Sequence, residues 1–479
     1  MARANAVGRL RDNVFAASCF VPFLACGPGL GATTTESGTT SATGPAPITD
    51  GGIGTSASGS DVGSTDETGA GVEVCGNGLA SGGQWCFEQL DVPQSQNVRG
   101  VIITDLDADG RGDLGFFVGD SASTVIAVTW TGTTLTVVGQ APMDVSVYPL
   151  RAGRLDAGPP LVLAGFSNGP ELVHTFRFSE GTLNVQQTPL PAAGTGYPWE
   201  YWPATTIDVD GDGFHELLVY DPYPYPDIGK GGAVPRLLKR NPNGWELIGD
   251  ELPALDYKSG PAVASADLTG DRRPELVLSR DLGDWHRGAD PLGVADYDPA
   301  RDQLLSVAFD NGVAVPVESI ASGTVAYRLA TADFDGDGAI DIAAIGYDAV
   351  AMLRGRGDGT FDPPRLLELE ADYVAAGDGW GTRIGDGVAG DFDGDGDQEL
   401  LLAAGAVGAP EPPYGNLIIV DDPLGAATLH VLAAGAVITS LTSDKIAVGD
   451  VNGDGVDDIA AMTRIALGEL GLFLLLSDP

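Results

Sequence analysis

Apolar residues run along this chain in short stretches that return at a regular interval. LLVY (Leu217–Tyr220), IAAI (Ile342–Ile345), LLLA (Leu400–Ala403) and IAAM (Ile459–Met462) are set apart by segments rich in Gly, Asp and Pro. Short apolar runs bounded by turn formers predict buried β-strands, and no long window carries the apolar stripe of a helix. The glycine content, 69 of 479 residues, and the Val, Leu, Ile and Thr filling the runs point the same way.

Each run follows an acidic nonapeptide. The copies are DLDADGRGD from Asp105, DVDGDGFHE from Asp208, DFDGDGAID from Asp333, DFDGDGDQE from Asp391 and DVNGDGVDD from Asp450, with a weaker DLTGDRRPE from Asp267. Numbered 1 to 9 within a copy, side-chain oxygens stand at positions 1, 3, 5 and 9. These are Asp105, Asp107, Asp109 and Asp113; Asp208, Asp210, Asp212 and Glu216; Asp333, Asp335, Asp337 and Asp341; Asp391, Asp393, Asp395 and Glu399; and Asp450, Asn452, Asp454 and Asp458. The weak copy keeps Asp267, Asp271 and Glu275 but carries Thr269 at position 3 and Arg272 at position 6. The backbone carbonyl of position 7 (Arg111, Phe214, Ala339, Asp397, Val456) completes a set of oxygens able to wrap a hard cation. Glycine at position 6 in five of the six copies answers a sharp turn. Two carboxylates ~5 Å apart repel by roughly 3 kcal/mol at an effective dielectric near 20, so a cation is required, and the oxygen count favours Ca2+ over Mg2+. One isolated copy has the bland alternative of an acidic turn; the set in register does not, and it gives five calcium sites, with the sixth at Asp267–Glu275 left open.

The loops start at 105, 208, 267, 333, 391 and 450, with gaps of 103, 59, 66, 58 and 59. Inside the long gap, AGRLDAGPPLVLAGF (Ala152–Phe166) keeps the apolar frame of a repeat, with Asp156 read in place of the first ligand. That makes seven repeats, the second without metal. A period near 60 residues holds four short strands, one blade of a β-propeller.

The pattern apolar-D-x-D-G-D-G-x-x-D-apolar at this period resembles the FG-GAP or VCBS repeat family, found in integrin α-chain propellers, bacterial surface proteins and some fungal lectins. The resemblance covers residues from about 85 to 479. It implies an all-β fold, a seven-bladed β-propeller over 72–479 whose calcium loops join the first and second strands of each blade. For one blade, it places strands at Arg328–Asp333, Ile340–Gly346, Ala349–Arg354 and Thr360–Leu369. The last blade lacks an outer strand after Leu470–Leu476, and residues 85–92 are expected to supply it, removing two sheet edges at once. EF-hands and tandem nonapeptide β-rolls fit neither the loop length nor the period.

Residues 1–26 have the form of an export signal: Arg3, Arg9 and Arg11 precede the apolar run Val14–Ala25, which is too short to span a bilayer. Phe23-Leu24-Ala25-Cys26 resembles a lipobox, with Cys26 as the lipidated residue; an ordinary secretory cleavage nearby is the alternative, and Cys19 a lesser lipidation point. Cys75 and Cys86 then remain as a pair, for which a disulfide outside the cytosol is expected and metal binding is the weaker option. Residues 27–71, such as TTTESGTTSATGPAP, cannot bury enough apolar surface to fold and read as a disordered stalk.

A net charge of −42 argues against nucleic acid as a partner. Twenty-two carboxylates sit at ligand positions of the six loops, so bound calcium would offset much of it. The histidines His174, His215, His286 and His430 show no zinc spacing, and no nucleophile elbow or phosphate loop is present. The aromatic clusters Tyr197–Pro203 and Tyr220–Pro226, and Asp284-Trp285-His286-Arg287, are candidate binding loops or simple packing. Together these readings describe an exported cell-surface or outer-membrane lipoprotein, alternatively secreted. They give a monomeric, calcium-binding, non-enzymatic scaffold for an unknown protein or glycan, touching membrane only through its lipid. The alternatives are a lectin-like propeller and a polysaccharide-active enzyme such as a lyase.

Overall fold

The computed structural model describes residues 87–477 apart from 120–121, 145–146, 156–160, 167–171, 180, 192–201, 224–231, 242–243, 249–261, 282–296, 301, 311–312, 368, 370–381, 407–413, 439–444 and 467–468. The expected signal, stalk, lipidation site and Cys75–Cys86 pair lie outside the described residues. So do the loop containing His286, residues 197–201 of the first aromatic cluster and 224–226 of the second.

The described residues are all-β. β1 (Phe87–Asp91) precedes a first sheet of β2 (Val98–Thr104), β3 (Asp113–Val118), β4 (Thr124–Trp130) and β5 (Leu135–Pro142). The second sheet has β6 (Val147–Gly153), β7 (Leu161–Phe166), β8 (Leu172–Ser179) and β9 (Thr182–Pro189). The third has β10 (Trp202–Ile207), β11 (Glu216–Tyr223), β12 (Gly232–Asn241) and β13 (Gly244–Ile248). The fourth has β14 (Val263–Ala266), β15 (Glu275–Asp281), β16 (Asp302–Asp310) and β17 (Val313–Ala321), and the fifth β18 (Arg328–Ala332), β19 (Asp341–Ile345), β20 (Val350–Leu353) and β21 (Arg365–Leu367). The remaining strands are β22 (Thr382–Gly390), β23 (Glu399–Ala406), β24 (Tyr414–Asp421), β25 (Thr428–Ile438), β26 (Ile446–Gly449), β27 (Asp458–Ala466) and β28 (Glu469–Ser477).

Each sheet is an antiparallel meander, and the first strands follow one another in a closed ring. β2 packs against β6, β6 against β10, β10 against β14, β14 against β18, β18 against β22, β22 against β26, and β26 back against β2. This is a β-propeller arrangement. The expected seven separate blades become six sheets, because the last two strand sets are joined into one sheet of eight strands. The cause is the length of β25, whose 11 residues carry Val437 far enough to pair with Thr463 of β27. In the fifth sheet the outer strand is shorter than the expected Thr360–Leu369: only Arg365–Leu367 is strand, and Phe361 makes an isolated bridge to Gly355. β1 runs antiparallel to β28, Leu90 opposite Leu474, so the first described strand completes the last sheet.

The apolar runs are continuous rather than alternating because both faces of each sheet are covered. In β23, Leu400, Leu402 and Ala404 pack toward β18–β20, while Leu401 and Ala403 pack toward β26–β28. In β19, Ile342 and Ala344 pack toward β14–β16, while Ala343 and Ile345 face β22–β24. The core is thus a set of wedges between successive strand sets. The wedge between the halves of the eight-stranded sheet places Leu401, Leu417 and Ile419 against Ile446, Ile459 and Phe473. Small residues set the spacing where first strands crowd: a Cβ on Gly387 would lie 2.4 Å from Ile345 Cδ1.

Candidate functional site

Every acidic nonapeptide joins the first strand of its set to the second, so its ninth residue opens a strand: Asp113, Glu216, Glu275, Asp341, Glu399 and Asp458 begin β3, β11, β15, β19, β23 and β27. That residue is buried in all six copies. Its carboxylate folds back to accept the backbone N–H of position 2 in each loop: Leu106 (2.9 Å), Val209 (3.0 Å), Leu268 (2.7 Å), Phe334 (2.8 Å), Phe392 (2.8 Å) and Val451 (2.6 Å). The carboxylate of position 1 accepts the N–H of position 6, from Gly110, Gly213, Arg272, Gly338, Gly396 and Gly455. The carboxylate of position 5 accepts the N–H of position 7, from Arg111, Phe214, Arg273, Ala339, Asp397 and Val456. Side chains at 1, 5 and 9 therefore shape the loop through backbone amides, and each keeps oxygen lone pairs for a further ligand.

Positions 1, 3 and 9 converge. Asp105, Asp107 and Asp113; Asp208, Asp210 and Glu216; Asp333, Asp335 and Asp341; and Asp391, Asp393 and Glu399 each bring three carboxylate oxygens within 4.8 Å of one another. Asp109, Asp212, Asp337 and Asp395 are not in these groups. The loops at 267 and 450 lack a third carboxylate because position 3 is Thr269 or Asn452. Thr269 Oγ1 instead donates to Glu275 Oε1 at 3.2 Å, and the Asn452 amide donates to Asp454 Oδ2 at 2.7 Å. The weak copy still folds as the others do, with Arg272 holding the φ of +69° that glycine takes elsewhere.

Burial dominates the electrostatics. Removal from water pushes Asp113 up to about 6, Asp341 and Asp458 to about 7 and Glu399 to about 9, and it raises Glu216 and Glu275. The neighbouring loop carboxylates raise these groups further. A carboxylate held this way is neutral or repelled unless a cation is brought to it. In three loops a basic side chain pairs with the acidic positions: Arg111 with Asp109, Lys239 with Asp210, Asp212 and Glu216, and Arg354 with Asp335 and Asp337.

The second repeat shows why its loop differs. Gly153 pairs with Leu161 where Thr104 pairs with Asp113 and Ile207 with Glu216. Arg154 therefore follows the first strand as position 1 does, and Leu161 opens the second strand as the eighth residue counted from it, one earlier than in the acidic loops. Asp156, read from the sequence in place of the first ligand, lies outside the described residues. A guanidinium replaces the first carboxylate; Arg154 lies 5.8 Å from the centre of the Phe214 ring.

One element of the loop carries no signal in its side chains. The backbone N–H of position 8 donates to the carbonyl of position 1 in the preceding repeat: Gly112 to Asp450 (2.6 Å), His215 to Arg154 (2.8 Å) and Asp457 to Asp391 (2.8 Å). These three junctions are thereby tied loop to loop, whereas the loop at 267 has Pro274 at position 8 and no N–H to give. Position 7 reaches the same neighbour: a Cβ on Gly336 would lie 3.0 Å from Asp397 Oδ1, and one on Gly453 would lie 2.9 Å from Arg111 Cδ. His215 Nδ1 accepts the Arg154 N–H at 2.8 Å. His174 is a buried strand residue whose pKa burial lowers to about 4. Among the described residues, no histidine joins a carboxylate group.

A closed ring of antiparallel strand sets, all but the second carrying an acidic loop between the first and second strands, defines a β-propeller built on acidic nonapeptides. Residues 333–402, which run from the acidic loop of the fifth strand set into the start of the next, match the model of the FG-GAP-like repeat. No curated protein matches the sequence. Among solved structures, similarity extends to an Agrocybe aegerita lectin described for specific recognition of non-reducing terminal N-acetylglucosamine, at 16% identity over 72% of this chain and 81% of that one, with a TM-score of 0.44. It also extends to the C-terminal WD40 domain of Sif2, at 11% identity over 80% and 97%, with a TM-score of 0.40. At these TM-scores neither likeness adds to what the topology shows.

Proposed function

We propose that this chain is a calcium-stabilised, non-enzymatic scaffold, exported and held at the cell surface by a lipid on Cys26. Its propeller presents loops to a protein or glycan partner. The observation that carries the calcium reading is the convergence of positions 1, 3 and 9 at four loops, with the ninth carboxylate buried in each. A hard cation with six to eight oxygen ligands relieves both the repulsion and the desolvation at such a point. In this reading the acidic loops are structural, tying each first strand to the second, and recognition belongs to the other loops of the ring.

Thermal melting in millimolar calcium and in excess chelator tests the reading. Sites with dissociation constants of ~0.1 to 1 mM each add about 0.4 to 1.4 kcal/mol at that concentration, so several together raise Tm clearly. An identical Tm in both buffers removes calcium from the proposal. Metabolic labelling with a fatty-acid analogue tests the anchor: label is expected on the wild-type chain and absent from Cys26→Ala, and label retained by the variant would exclude that site.

A further inference from the structure

The third strand of each strand set places one residue opposite position 9 of the loop, and the register identifies it. Leu217 pairs with Leu238, so the next position brings Lys239 to Glu216. By the same step Thr129 comes to Asp113, Ala308 to Glu275, Arg354 to Asp341 and Asp421 to Glu399. One place in the fold thus holds a hydroxyl, a methyl, either kind of cation or a further carboxylate.

Lys239 fills that place differently from Arg354. Its ammonium bonds to Asp210 and lies 2.9 Å from Asp212 Oδ2 and 3.2 Å from Glu216 Oε1, so it engages positions 3, 5 and 9 at once. Glu216 is fully buried, and the oxygen facing the ammonium takes no other hydrogen bond. A compact ammonium with three donors can satisfy three carboxylates from one point, as a bound ion would. Arg354 pairs with Asp335 and Asp337 from a half-exposed position at the loop rim.

We propose that Lys239 is the resident cation of the loop at 208, so that this loop closes without calcium. The loop at 391, with Asp421 at the equivalent place, is by contrast one that requires the ion. The proposal rests on the calcium reading of the remaining loops. Position 9's partner on the third strand then decides, loop by loop, whether the chain supplies its own charge or takes it from solution.

The test uses the full chain with Lys239→Gln, Lys239→Arg and Asp421→Lys, measuring calcium stoichiometry by titration calorimetry and Tm in chelator and in calcium. Lys239→Gln is expected to melt below wild type in chelator, to recover in calcium and to bind one calcium more per chain. Lys239→Arg should melt between Lys239→Gln and wild type in chelator, because a guanidinium does not meet all three carboxylates from one point, and Asp421→Lys should bind one calcium fewer. Lys239→Gln with wild-type Tm and stoichiometry overturns the proposal. So does a lowered Tm that calcium fails to restore while wild type binds calcium, which would make Lys239 an ordinary ion-pair residue. A wild-type chain that binds no calcium overturns the calcium reading instead, and the chelator melts of Lys239→Gln still decide whether Lys239 holds its loop.

Discussion

Position 4 of the acidic loop is as constrained as position 6. Gly211, Gly270, Gly336, Gly394 and Gly453 have φ between +66° and +82°, and in the first loop Ala108 is held at +64°. A left-handed backbone costs a residue with a Cβ roughly 1–2 kcal/mol, part of which is offset because glycine loses more freedom on folding. Ala108→Gly is therefore expected to stabilise the protein by about 0.5–1 kcal/mol, and Gly394→Ala to destabilise it by a similar amount. Urea midpoints at constant slope measure both; a destabilising Ala108→Gly would contradict the strain. The sequence showed glycine at position 4 as often as at position 6. It could not show that the side chain of position 7 from the next repeat lies over Gly336 and Gly453, since that meeting is made by the ring.

At the scale of the element, the strands were legible because their runs are apolar on both faces and are cut by Asp and Gly. The boundaries Arg328–Ala332, Asp341–Ile345 and Val350–Leu353 lie within a residue or so of those read from the pattern. The outer strand was not, because an exposed edge needs no apolar run; β21 has only Leu367 buried. The seam formed by β1 and β28 depends on backbone pairing and on the partly buried Leu90, which packs beside Leu474 and Leu476. Leu90→Asp places a charge in that cluster. Amide exchange is expected to accelerate at Leu474 and Leu476 while β18–β20 keep their protection. Equal acceleration throughout the propeller would mean that the seam is not a local unit.

At the scale of the whole molecule, the buried ninth carboxylates make stability depend on pH. Their folded pKa values are raised above those of the unfolded chain, so the protonated form favours the fold. The stability they contribute is complete below the ordinary carboxylate range and is lost as pH rises through about 6 for Asp113, 7 for Asp341 and Asp458, and 9 for Glu399. In chelator, Tm is therefore expected to fall between pH 5 and 9. In calcium the fall should shrink, because the ion binds the deprotonated form. A Tm that rises across that window in chelator would show that the ninth carboxylates are not held in this way.

The sequence by itself determined the repeat, the β class, the ligand-type residues of each loop and the strands that flank them. All of these follow from side chains close together in the chain. Only the tertiary structure decided that Arg154 takes the first place of the second repeat, that Val437 joins two strand sets into one sheet, and that Lys239 reaches Asp210 and Asp212 from the neighbouring strand. It also decided the position 8 amide bonds that tie three pairs of neighbouring repeats. The physical reason is common to these cases. Register, strand overrun and backbone hydrogen bonds depend on where segments meet in space, and the residue types at those places admit several partners until the ring closes.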